Sequence, residues 1–164
     1  MPRPTSPCDN RGVPVRSVLF VCAGNICRSP IAEAACRRLA SSRPTLADLE
    51  IGSAGVVAID GNFATAEAVE AVRGELGLDI TTHRARCLDH LDADLILTMD
   101  ATVTRLAERV ALKGRVVLLG DYAGTGEIVE DPYGRPGDVY LSCVRQIRRL
   151  VELAVQRIEA ERST

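Results

Sequence analysis

Short apolar runs alternate with amphipathic stretches along most of the chain. The first run, Val18–Val21, is continuous and apolar, as expected of a strand buried on both faces of a parallel sheet. A glycine-containing loop follows it. Ser29 and Pro30 then suit the N-cap and first turn of a helix that continues through Ile31–Leu39. The pattern therefore predicts a strand, a loop and a helix in that order.

The same alternation recurs until a long amphipathic helix closes the chain. Apolar residues at three- and four-residue spacing predict that helix over Tyr140–Ile158. Alternation of strands and helices indicates a parallel sheet covered by helices. The intervening predicted elements are a strand at Leu49–Ser53, a helix at Ala64–Leu76 closed by Gly77, a strand at Leu95–Thr98, a helix from Asp100 through Val110, and a strand at Val116–Leu119 that stops at Gly120.

We therefore expect an α/β fold with a single-domain, open, parallel four-stranded sheet and helices on both faces, of the flavodoxin-like or Rossmann-like kind. The N-terminal segment is rich in proline and has no apolar run. We expect residues 1–14 to form a flexible tail and residues 15–164 to form the domain. In open α/β sheets, ligands bind at the carboxyl ends of strands, so the loop after the first strand is the first candidate site.

Composition and charge narrow the possible partners. Apolar residues make up 46% and charged residues 26% of the 164 residues, which is typical of a packed globular domain. Twenty basic and 22 acidic residues give a net charge of −2, which argues against a general electrostatic contact with nucleic acid or an anionic membrane. No stretch is long and apolar enough for a membrane helix. Any bound anion must be held locally.

The cysteines and histidines favour neither disulfides nor a metal site. A chain of this size and aliphatic content does not need covalent cross-links, so we expect a reducing, cytoplasmic location. The two histidines, His83 and His90, fit no metal-ligand motif, and no cofactor is expected. The six cysteines are Cys8, Cys22, Cys27, Cys36, Cys87 and Cys143.

The loop after the first strand, Cys22–Pro30, reads CAGNICRSP. Its backbone amides and the N-terminus of the next helix can face a common centre and bind an anion. Arg28 adds a planar fork suited to two phosphate oxygens. All of these groups favour the thiolate of Cys22, which makes it a candidate nucleophile. The alternative is a buried core cysteine, the commoner fate of a lone thiol.

Two observations bear on that alternative. Cys143 and Arg149 have the same spacing as Cys22 and Arg28, but they lie in the predicted long helix without a glycine-containing loop. Cys22 alone has a strand before it, the loop after it and a helix beyond. This setting favours the catalytic interpretation of Cys22.

The second candidate element is Asp131-Pro132-Tyr133. Proline disfavours helical geometry in the residue before it, so Asp131 is expected to be extended near the end of a loop. There its carboxyl group is able to protonate a leaving oxygen. Asp-Pro is also ordinary turn chemistry, and only the presence of Cys22 elsewhere in the chain makes Asp131 a candidate acid.

From about Val15 to the end, the sequence resembles the low-molecular-weight protein tyrosine phosphatase family, with motifs in the same order and at similar spacing. The resemblance implies a cysteine-dependent hydrolase that removes phosphate from protein phosphotyrosine through a cysteinyl-phosphate intermediate. Its substrate is then a phosphorylated protein. The matching segments are the CAGNICRSP loop, Ser53–Gly55, Thr81–Arg84, Leu97–Asp100 and Asp131–Tyr133.

By the same resemblance, Cys22 is the nucleophile, Arg28 binds phosphate and Asp131 is the general acid. Further residues are implied to bind phosphate through the loop or to support the loop: Ala23, Gly24, Asn25, Ile26, Cys27, Ser29, Ser53 and His83. Because Cys27 lies five residues after Cys22 in a short loop, we also expect it to form a reversible disulfide with Cys22 under peroxide.

Protein-arginine phosphatases of the same fold are the main alternative. They resemble this chain in having glycine, here Gly134, after the Asp-Pro-aromatic segment, but they typically have threonine where this chain has Ile26. We give Ile26 more weight because it belongs to the pocket wall. Ile26 and Tyr133 on opposite sides would provide apolar walls for a phosphotyrosine ring.

Two other functions agree less well with the sequence. Thioredoxin-linked arsenate reductases share the loop but need two further redox cysteines past the middle of the chain, where Cys87 stands alone. A catalytically inactive phosphate-binding module would not be expected to retain Cys22, Arg28 and Asp131 together.

Overall fold

A computed structural model describes residues 13–89, 91–111 and 113–164. Most of the predicted tail, residues 1–14, lies outside the described residues, as do Cys8 and His90. The strands of the described residues are β1 (Ser17–Cys22), β2 (Glu50–Gly55), β3 (Leu95–Thr98) and β4 (Arg115–Leu118). They form one sheet in the order β2-β1-β3-β4, and all neighbouring strands are parallel.

Helices cover both faces of this sheet. The helices are α1 (Arg28–Ser41), α2 (Ala66–Leu76), α3 (Ala101–Val110), α4 (Leu119–Tyr122) and α5 (Gly137–Arg162), with a short 3-10 turn at Pro44–Leu46. Helices α1, α2 and α5 pack together on one face, whereas α3 packs against β1, β3 and β4 on the other. The predicted fold class is confirmed. None of the described helices is long and apolar enough to cross a bilayer.

Strand β1 shows why its sequence is apolar at every position. Val18, Phe20 and Cys22 point into the core shared with α1, α2 and α5. Leu19 and Val21 point into the smaller core beneath α3. Burial of an aliphatic or aromatic side chain contributes about 1.5–3 kcal/mol. The strand is therefore held from both sides and forms a rigid base for the loop that follows it.

Helix α5 follows the predicted apolar pattern closely. It is 26 residues long, and its apolar side is buried against α1 and α2. All eight residues of the predicted pattern are buried: Tyr140, Cys143, Val144, Ile147, Leu150, Val151, Ala154 and Ile158.

The start of α1 differs from the prediction. Ser29 was expected to cap this helix, but it is the second helical residue. Cys27 occupies the N-cap position and makes no side-chain capping bond. The Ser29 hydroxyl contacts the sulfur of Cys22 instead, because the loop folds back over the first turn. Pro30 lies in that first turn, as predicted.

Other element boundaries also shift by one or two residues: strand β2, predicted over Leu49–Ser53, runs over Glu50–Gly55. Two of the shifts have local reasons. Helix α2 begins at Ala66 rather than Ala64 because the Thr65 side chain accepts a 3.2 Å hydrogen bond from the Ala68 N–H and ends the preceding loop. Strand β4 ends at Leu118, one residue earlier than predicted, because the chain turns there into the short helix α4.

Candidate active site

The candidate site forms where the chain reverses its order across the sheet. Strand β1 lies between β2 and β3, so the loops that follow these strands meet at one edge. Residues 22–30 follow β1, and Asp100 follows β3. Gly55, at the end of β2, lies so close to this loop that a Cβ there would be 2.5 Å from the Ala23 carbonyl oxygen and 2.9 Å from the Asn25 nitrogen. Only glycine at position 55 leaves room for the loop to pack this close to the end of β2.

Two hydrogen-bond donors face the sulfur of Cys22. The backbone N–H of Asn25 donates to Sγ at 3.3 Å. The Ser29 Oγ lies 3.0 Å from the same sulfur. Asn25 Nδ2 donates to the Ser29 oxygen at 2.7 Å, and the Ser29 hydroxyl lies 3.4 Å from the Ala54 carbonyl as well. When Cys22 is a thiolate the Ser29 hydroxyl is the donor of their contact, because a thiolate only accepts hydrogen bonds.

Asn25 is the centre of the loop's hydrogen-bond network. It is fully buried and has φ of 55°, a left-handed conformation that is uncommon outside glycine. Its Nδ2 donates to Ser29 and, at 3.0 Å, to Ser53 Oγ. Its Oδ1 accepts from the Arg86 N–H at 3.0 Å, and its carbonyl accepts from His83 Nε2 at 2.7 Å. The predicted supporting residues thus converge on Asn25.

Arg28 is buried beside the loop, with 2% of its surface exposed. Its NH1 donates to Asp100 Oδ2 at 2.7 Å and to the Val129 carbonyl at 2.9 Å. Its NH2 lies 3.8 Å from Asp131 Oδ2. Its Nε is buried and has no hydrogen-bond partner among the described residues. The protein thus provides acceptors for NH1, while the Nε–H remains able to donate a hydrogen bond to another group.

The ion pair between Arg28 and Asp100 keeps both side chains charged. Burial is the largest influence on Arg28 and lowers its pKa, but the hydrogen bond to Asp100 and the attraction of nearby negative charges together outweigh it, so the net pKa is raised. Burial is likewise the largest influence on Asp100 and raises its pKa, but the charge of Arg28 and the hydrogen bonds from Arg28 and the backbone together outweigh it, so the net pKa is lowered. The guanidinium is therefore a fixed cation.

A cleft of about 220 Å³ opens above the loop. Half-buried Ile26 and exposed Tyr133 contribute to its walls, and Asp131 lies at its edge. Val57, which is 65% exposed, also lines it. The remaining lining residues belong to the loop: Cys22, Ala23, Gly24, Cys27 and Arg28.

Cys27 has a different environment from Cys22. It is 3% exposed, and its Sγ lies 3.5 Å from both Thr65 Oγ1 and Tyr140 Oη. Burial raises the pKa of the Cys27 thiol, although the two hydroxyl contacts partly oppose the effect. All five cysteines of the described residues are free thiols.

Comparison with known proteins agrees with this geometry. Residues 17–164 match the family model described as low molecular weight phosphotyrosine protein phosphatase. The chain belongs to this family. The low molecular weight phosphotyrosine protein phosphatase of Sus scrofa is 38% identical over 151 residues, with 84% of this chain and 94% of the pig protein covered. The protein-tyrosine-phosphatase PtpB of Staphylococcus haemolyticus is 35% identical over 136 residues, covering 82% and 94%.

Solved structures of the family extend the comparison. The low molecular weight protein tyrosine phosphatase from T. tengcongensis has a TM-score of 0.78 at 34% identity, with 85% of this chain and 97% of that chain covered. A mutant of the YwlE arginine phosphatase with a phosphorylated active-site serine also has a TM-score of 0.78, at 28% identity, with 90% and 98% covered. The solved structures similar to this chain thus include ones described as tyrosine and as arginine phosphatases.

Sequence reasoning missed three residues of this phosphatase site. The bond from Asp100 to Arg28 was not predicted, although the adjacency of β1 and β3 would have indicated that Asp100 lies near the loop. Val57 was missed because the short apolar run Val56–Ile59 has no periodicity that marks one of its residues as lining a cleft. The backbone N–H of Arg86 supports Asn25, and no side-chain signal marks a backbone donor.

Proposed function

We propose that the protein hydrolyses phosphotyrosine in protein substrates through a cysteinyl-phosphate intermediate. The arrangement of Cys22 and Arg28 carries the proposal. The Asn25 N–H and the Ser29 hydroxyl contact the Cys22 sulfur, and the neighbouring guanidinium has its NH1 occupied by protein acceptors, while its buried Nε has no acceptor in the part of the chain that the structure describes. An equatorial phosphate oxygen would supply the missing acceptor for Nε, and NH2 on the same edge would bind a second oxygen.

In the first step, the Cys22 thiolate attacks phosphorus. The sulfur–phosphorus bond forms as the bond between phosphorus and the phenolic oxygen breaks. Asp131, protonated in this step, gives its proton to the departing oxygen. Its position, with Oδ2 3.8 Å from Arg28 NH2, supports this role because it lies beside the group proposed to bind phosphate.

In the second step, water hydrolyses the intermediate. The Asp131 carboxylate takes a proton from water as the oxygen bonds to phosphorus, and the sulfur–phosphorus bond breaks to return the thiolate and inorganic phosphate. In both steps Arg28 and the loop amides stabilise the charge on the equatorial oxygens. The side chains of Asn25, Ser29, Ser53 and His83 hold the loop in the required shape.

Replacement of the nucleophile tests this proposal. We expect Cys22→Ser to abolish turnover of para-nitrophenyl phosphate, because a serine hydroxyl ionises too weakly to replace the thiolate at neutral pH. Vanadate should still bind the variant, since the amides and Arg28 remain. Chelators should leave the wild-type rate unchanged. Substantial turnover by Cys22→Ser would mean that Cys22 is not the nucleophile.

Phosphoarginine is the second candidate substrate, favoured by Gly134 and by the similarity to the YwlE arginine phosphatase. Gly134 has φ of 76°, so the backbone turn itself accounts for glycine at this position. Ile26 argues for phosphotyrosine, because guanidinium N–H groups of phosphoarginine would face an apolar wall there. Kinetic comparison of phosphotyrosyl and phosphoarginyl peptides of one sequence decides between them. A higher kcat/KM for phosphoarginine would replace the tyrosine proposal.

A further inference from the structure

The segment that carries Asp131 is fastened to helix α5 by an ion pair. We propose that Glu127 and Arg149, together with Gln146, position Asp131 for proton transfer to the leaving group. This inference rests on the proposed function of Asp131 and assigns positioning residues to it. The residues 123–136, between α4 and α5, are called the acid loop below.

The contacts between the acid loop and α5 are specific. Arg149 NH1 and NH2 donate to the two carboxylate oxygens of Glu127 at 2.7 and 2.6 Å, in a bidentate pair. Gln146, one turn earlier on α5, donates from Nε2 to the Ile128 carbonyl at 3.0 Å. The hydrogen bonds from Arg149 lower the pKa of Glu127 to about 2, so the pair stays charged at neutral pH.

The next residue of the acid loop connects these contacts to the phosphate site. Val129 is 1% exposed, and its N–H donates to the Met99 carbonyl at 2.9 Å. Its own carbonyl accepts from Arg28 at 2.9 Å. Three consecutive residues are thus fixed, two to α5 and one to the end of β3 and to Arg28. Asp131 follows only two residues later.

Beyond Val129 the acid loop is held by the buried Pro132 and by the 3.8 Å approach of Asp131 to Arg28, but by few hydrogen bonds. Among the described residues, the hydrogen bonds of residues 130–135 stay within that stretch: the Tyr133 N–H donates to Asp131 Oδ1 and the Arg135 N–H donates to the Pro132 carbonyl. The other end of the loop enters α5 at Gly137. Helix α5 therefore holds both ends of the stretch that carries Asp131, and the ion pair with Glu127 sets one of them.

The chain offers a matched control on the same helix. Arg145 of α5 forms a 2.8 Å ion pair with Glu75 of α2, also at the surface and distant in sequence from the acid loop. Glu75→Gln removes a comparable interhelical ion pair without touching the loop. Glu127→Gln preserves side-chain shape, and the backbone contact between Gly120 and Glu127 remains. Both variants are expected to fold.

The experiment measures kcat/KM for phenyl phosphate and for para-nitrophenyl phosphate, whose leaving group needs less protonation. Exposed ion pairs contribute little to stability unless their geometry is favourable, as in this bidentate pair. We therefore expect Glu127→Gln to lower kcat/KM for phenyl phosphate about fivefold. The loss with para-nitrophenyl phosphate should be clearly smaller. Like Glu127→Gln, the variants Arg149→Lys and Gln146→Ala should lower kcat/KM more for phenyl phosphate than for para-nitrophenyl phosphate. Glu75→Gln should change neither.

Two results would overturn the proposal. The first is that kcat/KM for both esters is unchanged in Glu127→Gln, Arg149→Lys and Gln146→Ala, as in Glu75→Gln. The contacts would then not position the acid. An equal loss with both esters would show a general structural effect. Failure of the proposed phosphatase chemistry would be seen separately, because the wild-type protein would then hydrolyse neither ester, and failure of the acid role of Asp131 would be seen as an equal loss with both esters in Asp131→Ala.

Discussion

The Arg28 guanidinium and the Asp100 carboxylate form a 2.7 Å ion pair that joins the loop after β1 to the start of α3. The two residues are 72 positions apart in the chain. Asp100 also caps α3, since its Oδ1 accepts from the Val103 N–H at 2.9 Å. One carboxylate therefore fixes the direction of the guanidinium and the start of a helix.

Asp100→Asn is expected to destabilise the protein at pH 7 by about 1.5–3 kcal/mol, the usual contribution of a hydrogen bond to a charged group. The pKa of Asp100 is lowered below its ordinary value of 3.8 in the folded state. Its stabilising contribution is therefore present above that value and is lost as the pH falls through the lowered pKa. Urea unfolding of both proteins at pH 7 and pH 3 measures this. A difference of the same size at both pH values would contradict the assignment to charge.

Asp131→Ala is expected to lower kcat/KM for phosphotyrosine by about 10²–10⁴-fold, the usual contribution of a positioned general acid. The loss should decrease for aryl phosphates whose leaving groups have low pKa values, because these leave without protonation. A series of substituted phenyl phosphates measures the dependence. The same loss across the series would instead indicate a structural role for Asp131.

Asn25→Gly and Asn25→Ala separate backbone strain from hydrogen bonding. Both variants lose the bonds to Ser29, Ser53 and Arg86, and we expect each to lose at least about tenfold in kcat/KM as the loop loosens. Because φ is 55° at this position, alanine should be less stable than glycine by about 1 kcal/mol. Thermal unfolding tests this order. Equal stability would mean that the loop relaxes away from the left-handed conformation.

Cys27 is expected to protect Cys22 from irreversible oxidation. Peroxide oxidises the Cys22 thiolate to sulfenic acid and is reduced to water. Attack by the Cys27 sulfur then forms a disulfide and releases water. Burial raises the pKa of Cys27, so this thiol is itself a poor target for peroxide. Mass spectrometry after mild peroxide should find this disulfide, and dithiothreitol should restore activity.

Cys27→Ser should proceed to sulfinic acid and stay inactive after dithiothreitol. Cys36→Ala is the matched control, because Cys36 is a buried free thiol on α1 outside the cleft. It should recover like the wild type. Irreversible inactivation of the wild type at the rate of Cys27→Ser would remove the protective role and leave Cys27 as a packing residue beneath the loop.

Features set by residues close together in the chain were predictable from the sequence, whereas contacts between residues far apart in the chain were not. Strand β1 and helix α5 were predictable because their burial is recorded in local apolar periodicity. Ser29 was wrongly expected to cap α1, because its actual partner Cys22 is brought to it by a loop in which Asn25 has positive φ. A single sequence carries no local signal for such a reversal. The bond between Arg28 and Asp100 likewise depends on strand order, which spacing alone does not define.

Ile26 lines the cleft together with exposed Tyr133 and Val57, and its side chain is expected to select the substrate. A phosphotyrosine ring would bury apolar surface against these side chains, whereas each unsatisfied N–H of phosphoarginine would cost about 1–3 kcal/mol. We therefore expect phosphotyrosine to be preferred by about 10–100-fold in kcat/KM, since 1.36 kcal/mol corresponds to tenfold. Ile26→Thr should narrow the preference, because its hydroxyl offers an acceptor to the guanidinium. Val57→Thr is the matched control on the more exposed wall and should narrow it less. If Ile26→Thr leaves the ratio of the two kcat/KM values unchanged, the wall at position 26 does not select the substrate.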